Sequence, residues 1–267
     1  MPKTKTLKNI LTESMFFRSF RLAKSSMAKT SLMVLFDVSF FLSFYYVLPL
    51  IASYSVQGIA VLQGSSFLAA YLVFSIVYTM LVIFAYSFFK YCVLDFVSSM
   101  LEKRLFSFRR LFAFFLLNIV LYLPVFLAFS FILDSIREAY RPYFFFAVGV
   151  PFGILLYLIV NISNSIFYHG ASIRRSLKGS FRIIFSGFKS CSGTILPIII
   201  AAVILALFLW VAGSAVSLLF AGNYFLYLRA YSYFTSAGIV LTSAVFYLVL
   251  LVNRISFYSI AMDKNSK

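Results

Sequence analysis

Charge is scarce in this sequence of 267 residues: Asp, Glu, Lys and Arg together make up 11% of it, and only seven residues are acidic. Soluble domains run near a quarter charged, so a water-exposed globule is excluded. One His and seven acids leave few groups for acid–base chemistry. Two Cys residues, Cys92 and Cys191, cannot complete a zinc site alone. Both lie near segment ends that the charge pattern assigns to the cytoplasm, where thiols stay reduced, so no disulfide is expected. No catalytic, metal-binding or nucleotide-binding signature stands out, and the expectation is a non-enzymatic chain with no cofactor and no metal.

What the sequence has in excess is apolar surface: 63% apolar residues, 35 Phe, 18 Tyr and a mean hydropathy of +1.01. No Lys, Arg, Asp or Glu occurs at 38–89, 111–133, 142–168, 190–228 or 230–253, and each stretch reaches the roughly 20 residues that cross a hydrocarbon layer. The first is long enough for two crossings and is broken at Gln57-Gly58 and Gln63-Gly64-Ser65-Ser66. The expected fold is therefore all-α: a polytopic transmembrane helix bundle with six spans, at about 31–54, 67–90, 111–133, 143–168, 195–220 and 235–260. Residues 1–30 form a basic amphipathic N-terminal segment and 261–267 a short tail.

A net charge of +16 could suggest a nucleic-acid partner, but the charges sit at segment ends. Of the 23 Lys and Arg residues, only Arg137, Arg141 and Arg229 fall on the connections after odd-numbered spans. Positive-inside asymmetry then places both termini in the cytoplasm of a multi-pass cell-membrane protein. Five or seven spans would carry one basic cluster to the opposite face. The N-terminal region is interrupted by charges and no small-residue cleavage site follows it, so it is expected to be retained. The partners implied are anionic lipid headgroups on the cytoplasmic face and a membrane or cytoplasmic protein, not nucleic acid.

A basic amphipathic segment precedes each odd-numbered span, which predicts short interfacial helices on the cytoplasmic side. In the first, Phe16, Phe20, Ala23 and Met27 oppose Arg18, Arg21 and Lys24. In the third, Ile173, Leu177, Phe181, Ile184 and Phe188 oppose Arg175, Lys178, Arg182 and Lys189. The middle one sets Val97, Met100, Leu101, Leu105 and Phe108 against Lys103, Arg109 and Arg110, with Arg104 at its apolar edge. The tripeptide Ser-Phe-Arg recurs at 19–21, 107–109 and 180–182, which suggests a recurring unit of one amphipathic helix plus one helical hairpin. The heptapeptide Ser176-Leu177-Lys178-Gly179-Ser180-Phe181-Arg182 resembles the Ala/Ser-Leu-basic-x-Ser-aromatic pattern of a group of prokaryotic six-span integral membrane proteins. That group includes the membrane region attached to some glycerophosphodiester phosphodiesterases. The resemblance implies a six-span membrane fold and no activity, because this chain carries no phosphodiesterase domain.

The candidate site residues are the polar groups inside the spans. Asp37, about two turns into the first span, needs a partner because an unpaired carboxylate in hydrocarbon costs several kcal/mol; Lys90 and Arg254 can each reach toward it. Asn118, and Asn161 with Asn164 at i, i+3, are expected to hydrogen-bond across the bundle. His169, at the inner end of the fourth span, reads as an interfacial structural residue. Pro49, Pro124, Pro151 and Pro197 each remove a backbone donor within a span and can open space between helices. Asp134, Arg137, Glu138 and Arg141 are expected to continue the third helix into a solvated turn. Tyr224, Phe225, Tyr227, Tyr231, Tyr233 and Phe234 crowd a connection around Arg229, as an aromatic belt does.

Two alternatives accompany the reading of a lipid- or protein-binding membrane component. Gly193-Thr194-Ile195-Leu196-Pro197 is similar to the end of the coupling loop of ATP-driven importers, which implies a permease subunit moving a small solute or lipid. The Glu-Ala-Ala that opens that loop is missing here, and Gly179 lies too far upstream. An intramembrane enzyme is the other alternative, and with Asp37 as the only deep acid no catalytic set can be assembled.

Overall fold

In hydrocarbon every backbone N–H and C=O must find its partner inside the protein, and apolar runs of this length satisfy them along their own axis. The computed structural model describes residues 15–62, 64–101, 107–186, 188–220 and 222–265, and among them there is no strand. Helix α1 (Met15–Ser25) is followed by α2 (Met27–Ala60), α3 (Gly64–Leu101), α4 (Phe108–Ser135), α5 (Glu138–Tyr168), α6 (Ile173–Ser186), α7 (Phe188–Leu219) and α8 (Tyr224–Asn265). Six of them, α2 to α5, α7 and α8, are long and apolar enough to cross a membrane. Sequence and structure agree on their number and order.

Several boundaries differ from the expected ones, because hydropathy marks the oily part of a helix and not its ends. Helix α3 has 38 residues and α8 has 42, about 57 and 63 Å at 1.5 Å per residue, against roughly 30 Å of hydrocarbon. The extra length of α3 absorbs the expected middle amphipathic helix. Val97 is fully buried near the end of α3, and Phe108, Arg109 and Arg110 form the first turn of α4 after the extended Ser107. Leu105, Lys103 and Arg104 lie outside the described residues. The aromatic connection also proves helical: α8 starts at Tyr224, so the rings from Tyr224 to Phe234 line its first three turns. Helix α4 stops at Ser135, extended backbone follows at Ile136 and Arg137, and Glu138–Tyr140 is a 3-10 turn. A 3.7 Å ion pair joins Arg141 to Glu138 across it; the Asp134 side chain lies outside the described residues.

Prolines leave a visible mark in two spans. A π turn at Ser43–Val47 ends two residues before Pro49, and another at Phe145–Gly149 ends two residues before Pro151. Proline supplies no N–H to the preceding turn, and one widened turn accommodates the orphaned carbonyl. Pro124 and Pro197 sit inside α4 and α7 without such a turn.

The packed core is concentrated at one end of the bundle, the end that carries α1, α6 and the close of α8. There Tyr91–Leu94 of α3, Leu158–Tyr168 of α5 and Leu251–Val252 with Ile255–Tyr258 of α8 are buried together with Phe114 and Leu117 of α4. Toward the other end the helices present Phe, Leu, Ile and Val outward, as in Leu72, Phe126, Phe131, Phe208 and Trp210. An apolar solvent on that surface makes such exposure stable.

Helices α1 and α6 clasp the packed end through small residues. Gly170, with φ +106°, turns the chain back between α5 and α6, a conformation glycine adopts without strain. Helix α6 then lies on α5: Ser180 and Ser163 hydroxyls bond at 2.8 Å, and Gly179 faces Ile166 so closely that a Cβ would come within 3.0 Å. Helix α1 lies on α8 in the same manner, with a 3.0 Å bond between the Ser256 and Ser19 hydroxyls. The buried face of α6 is therefore Ser176, Ser180, Ile183 and Ile184, while Phe181 is 44% and Phe185 75% exposed. Of the apolar stripe read from sequence, Ile173, Leu177 and Ile184 pack on the core while Phe181 points outward, because small residues such as Ser176 and Ser180 permit close helix approach and large rings do not.

Candidate functional site

Asp37 lies on α2 ten residues beyond its start, about 15 Å along the helix. Its partner is Arg254 of α8, which donates to Oδ2 in a close ion pair, and the Tyr247 hydroxyl donates to the same oxygen at 2.8 Å. The side chains are 9% and 20% exposed. Pairing of this kind is what lets two charges persist away from water. Of the two cations the sequence offered to Asp37, Arg254 takes it.

Lys90 turns elsewhere. Its Nζ donates to Asn161 Oδ1 of α5 at 2.8 Å, and the Asn161 amide donates in turn to the Tyr157 carbonyl at 2.7 Å. Asp37, Lys90, Asn161 and Arg254 thus meet on the wall of one cavity of about 350 Å³, with Tyr86, Tyr122 and Tyr157 among its other walls. Lys90, Asn161 and Arg254 come from the three even-numbered spans, and each stands two residues before a small residue: Cys92, Ser163 and Ser256. Positions i and i+2 point to opposite sides of a helix. One side of α5 and α8 therefore faces the cavity while the other holds the serine on which α6 or α1 docks.

A second cavity of about 670 Å³ adjoins the first and shares Phe40, Tyr86, Tyr122, Gly153 and Leu156 with it. Its remaining wall is nearly all apolar, including Phe44, Val82, Phe126, Phe129 and Phe152. Phe44 and Gly149 belong to the two proline-associated π turns, so the widened turns border this chamber. The Tyr86 and Tyr122 rings meet edge to face at 5.1 Å where the cavities join.

The other sequence candidates have structural partners or lie apart. The Asn118 amide donates to Ser87 Oγ and to the Phe114 carbonyl, both at 3.1 Å, which is the expected tie between spans. Asn164 is fully buried one turn below Asn161 but does not line the cavity, and among the described residues its side chain has no hydrogen-bond partner. The His169 ring packs at a tilt against Tyr258, with 4.3 Å between ring centroids, while the Tyr168 hydroxyl donates to Asp95. Cys92 is a buried free thiol; the Cys191 side chain lies outside the described residues.

Sequence reading missed Tyr86, Tyr122, Tyr157, Tyr247 and Gly153. Tyrosine gathers at membrane interfaces, so a hydroxyl in the middle of a span was itself a sign of a polar interior. Gly153 shows its role only in three dimensions, since a Cβ built there meets nothing within 4 Å.

The basic candidates form a separate set. Arg18, Arg21 and Lys24 on α1 are exposed, as are Arg175, Lys178 and Arg182 on α6 and Arg109 at the start of α4; Arg110 is half-buried. The Lys189 side chain lies outside the described residues. Phe20 and Phe181 stand exposed beside their arginines. The segment Gly193–Pro197, similar to the end of an importer coupling loop, lies inside α7 and not in a loop; the Thr194 carbonyl is held there by the Asn253 amide at 2.8 Å. No family model, no curated protein and no solved structure matches the chain.

Proposed function

We propose that this chain is a non-enzymatic, multi-pass component of the cell membrane, with both termini in the cytoplasm, whose cytoplasmic face holds anionic lipid headgroups through α1 and α6. One observation carries the reading. Each of these helices fixes a serine on a span, Ser19 on Ser256 and Ser180 on Ser163, and turns the neighbouring Phe and Arg outward. A clasped helix that presents rings and guanidinium groups side by side suits the boundary between acyl chains and headgroups. Each basic group near an anionic surface contributes about 1 kcal/mol.

Spin-labelled lipids report the selectivity directly. In the full chain, reconstituted in mixed bilayers, the first lipid shell is expected to favour phosphatidylglycerol over phosphatidylcholine. Replacing Arg18, Arg21, Arg175, Lys178 and Arg182 together by Gln is expected to abolish most of that preference. A wild-type protein with no preference refutes the proposal.

A further inference from the structure

Lys90 is 8% exposed, and among the described residues no carboxylate lies within ion-pair distance of it. Its hydrogen bond goes to the neutral Asn161, and Asp37 is occupied by Arg254 and Tyr247. An ammonium held away from water without a counter-charge is costly. With Lys90 protonated, the cavity beside it carries one positive charge beyond the Asp37–Arg254 pair, and a single negative charge completes it.

The adjoining chamber says what the rest of the ligand is. Its wall is mostly Phe, Val, Ile and Leu, with hydroxyls on Tyr78, Thr79, Tyr86 and Tyr122 and no cationic side chain, so it suits an alkyl chain better than an inorganic anion. Both cavities lie within the ~300–1,000 Å³ range of small-molecule sites, which are mostly apolar with a few placed polar groups. They meet at Gly153, where the missing side chain leaves open space. The chamber is bounded by Phe44, Phe126 and Phe152, all exposed on the lipid-facing surface, so a chain can enter from the membrane.

We propose that these joined cavities bind a monoanionic amphiphile drawn from the membrane, its oxyanion headgroup on Lys90 and its alkyl chain in the aromatic chamber. None of the basic residues of α1 and α6 takes part, so the site stands or falls independently of the lipid-binding face.

The test uses the full chain in phosphatidylcholine nanodiscs with radiolabelled oleate as probe. Saturable binding of one oleate per chain is expected, weakening with shorter chains down to octanoate. K90Q and K90M are expected to lower affinity at least tenfold. G153L should plug the junction and remove binding with little change in melting temperature, whereas R175Q/K178Q/R182Q should bind oleate as wild type does. The proposal is overturned if K90Q binds oleate unchanged, if oleyl alcohol binds as tightly as oleate, or if inorganic phosphate competes as well as oleate does, which would make the site one for a free anion. Should G153L fail to fold, the chain-length series and the two Lys90 variants decide the matter.

Discussion

Ser180 and Ser163 bond to each other at 2.8 Å across the Gly170 turn, and Ser19 and Ser256, 237 residues apart in the chain, repeat the arrangement at 3.0 Å. Two of the three Ser-Phe-Arg tripeptides thereby gain one structural meaning: a serine toward a span, a ring and a guanidinium outward. In the third, Ser107 instead precedes α4 in extended backbone, and its carbonyl accepts from the Tyr91 hydroxyl at 3.4 Å.

The docking of α6 depends on small side chains. Ser180→Ala should cost about 0.6 kcal/mol, taking the mean for hydrogen bonds between membrane helices as the guide for this helix-to-span bond. Gly179→Leu forces a large group against Ile166, where even a Cβ would sit at 3.0 Å, and should cost ~1–3 kcal/mol. Limited proteolysis is expected to cut residues 170–190 faster in the Leu variant than in the Ala variant.

Breaking the deep ion pair should be the most damaging single change in the spans. Asp37→Asn leaves Arg254 without its charge partner, and the expected loss is about 3–5 kcal/mol, read as a fall in melting temperature in detergent. The double variant Asp37→Leu/Arg254→Met should recover most of the stability, since neither member of the pair is left charged without the other. A double variant as unstable as Asp37→Asn would show that the pair is not what holds α2 to α8.

Trp210 is the sole tryptophan and is 71% exposed on α7. In a bilayer its ring should face acyl chains. Brominated lipids are expected to quench its emission strongly, and aqueous iodide weakly; the reverse order would remove α7 from the membrane.

Sidedness can be read by labelling. In a chain with Cys92 and Cys191 replaced by Ala, a cysteine at Arg182 should react only with a reagent admitted to the cytoplasmic side, and one at Arg137 only from outside. Labelling of both from the same side would overturn the six-span orientation.

The Asp37 ion pair marks the limit of what could be read from residues alone. That a deep carboxylate needs a cation was legible, and so were the two cations. The choice of Arg254 over Lys90 was not, because it depends on how α8 and α3 rotate against α2. The same holds for α6: its charged face was visible, but that Ser176 and Ser180 turn toward the packed end was not.

Six oily runs, their order and the clustering of cations at alternate connections follow from the amino-acid sequence by itself, because the cost of unpaired charge and backbone in hydrocarbon is a property of local composition. The joined cavities, the pairing of Lys90 with the neutral Asn161 and the two serine clasps were decided only by tertiary structure. They arise where helices distant in the chain approach, and the distance of approach is set by packing among α3, α5 and α8, which no single segment encodes.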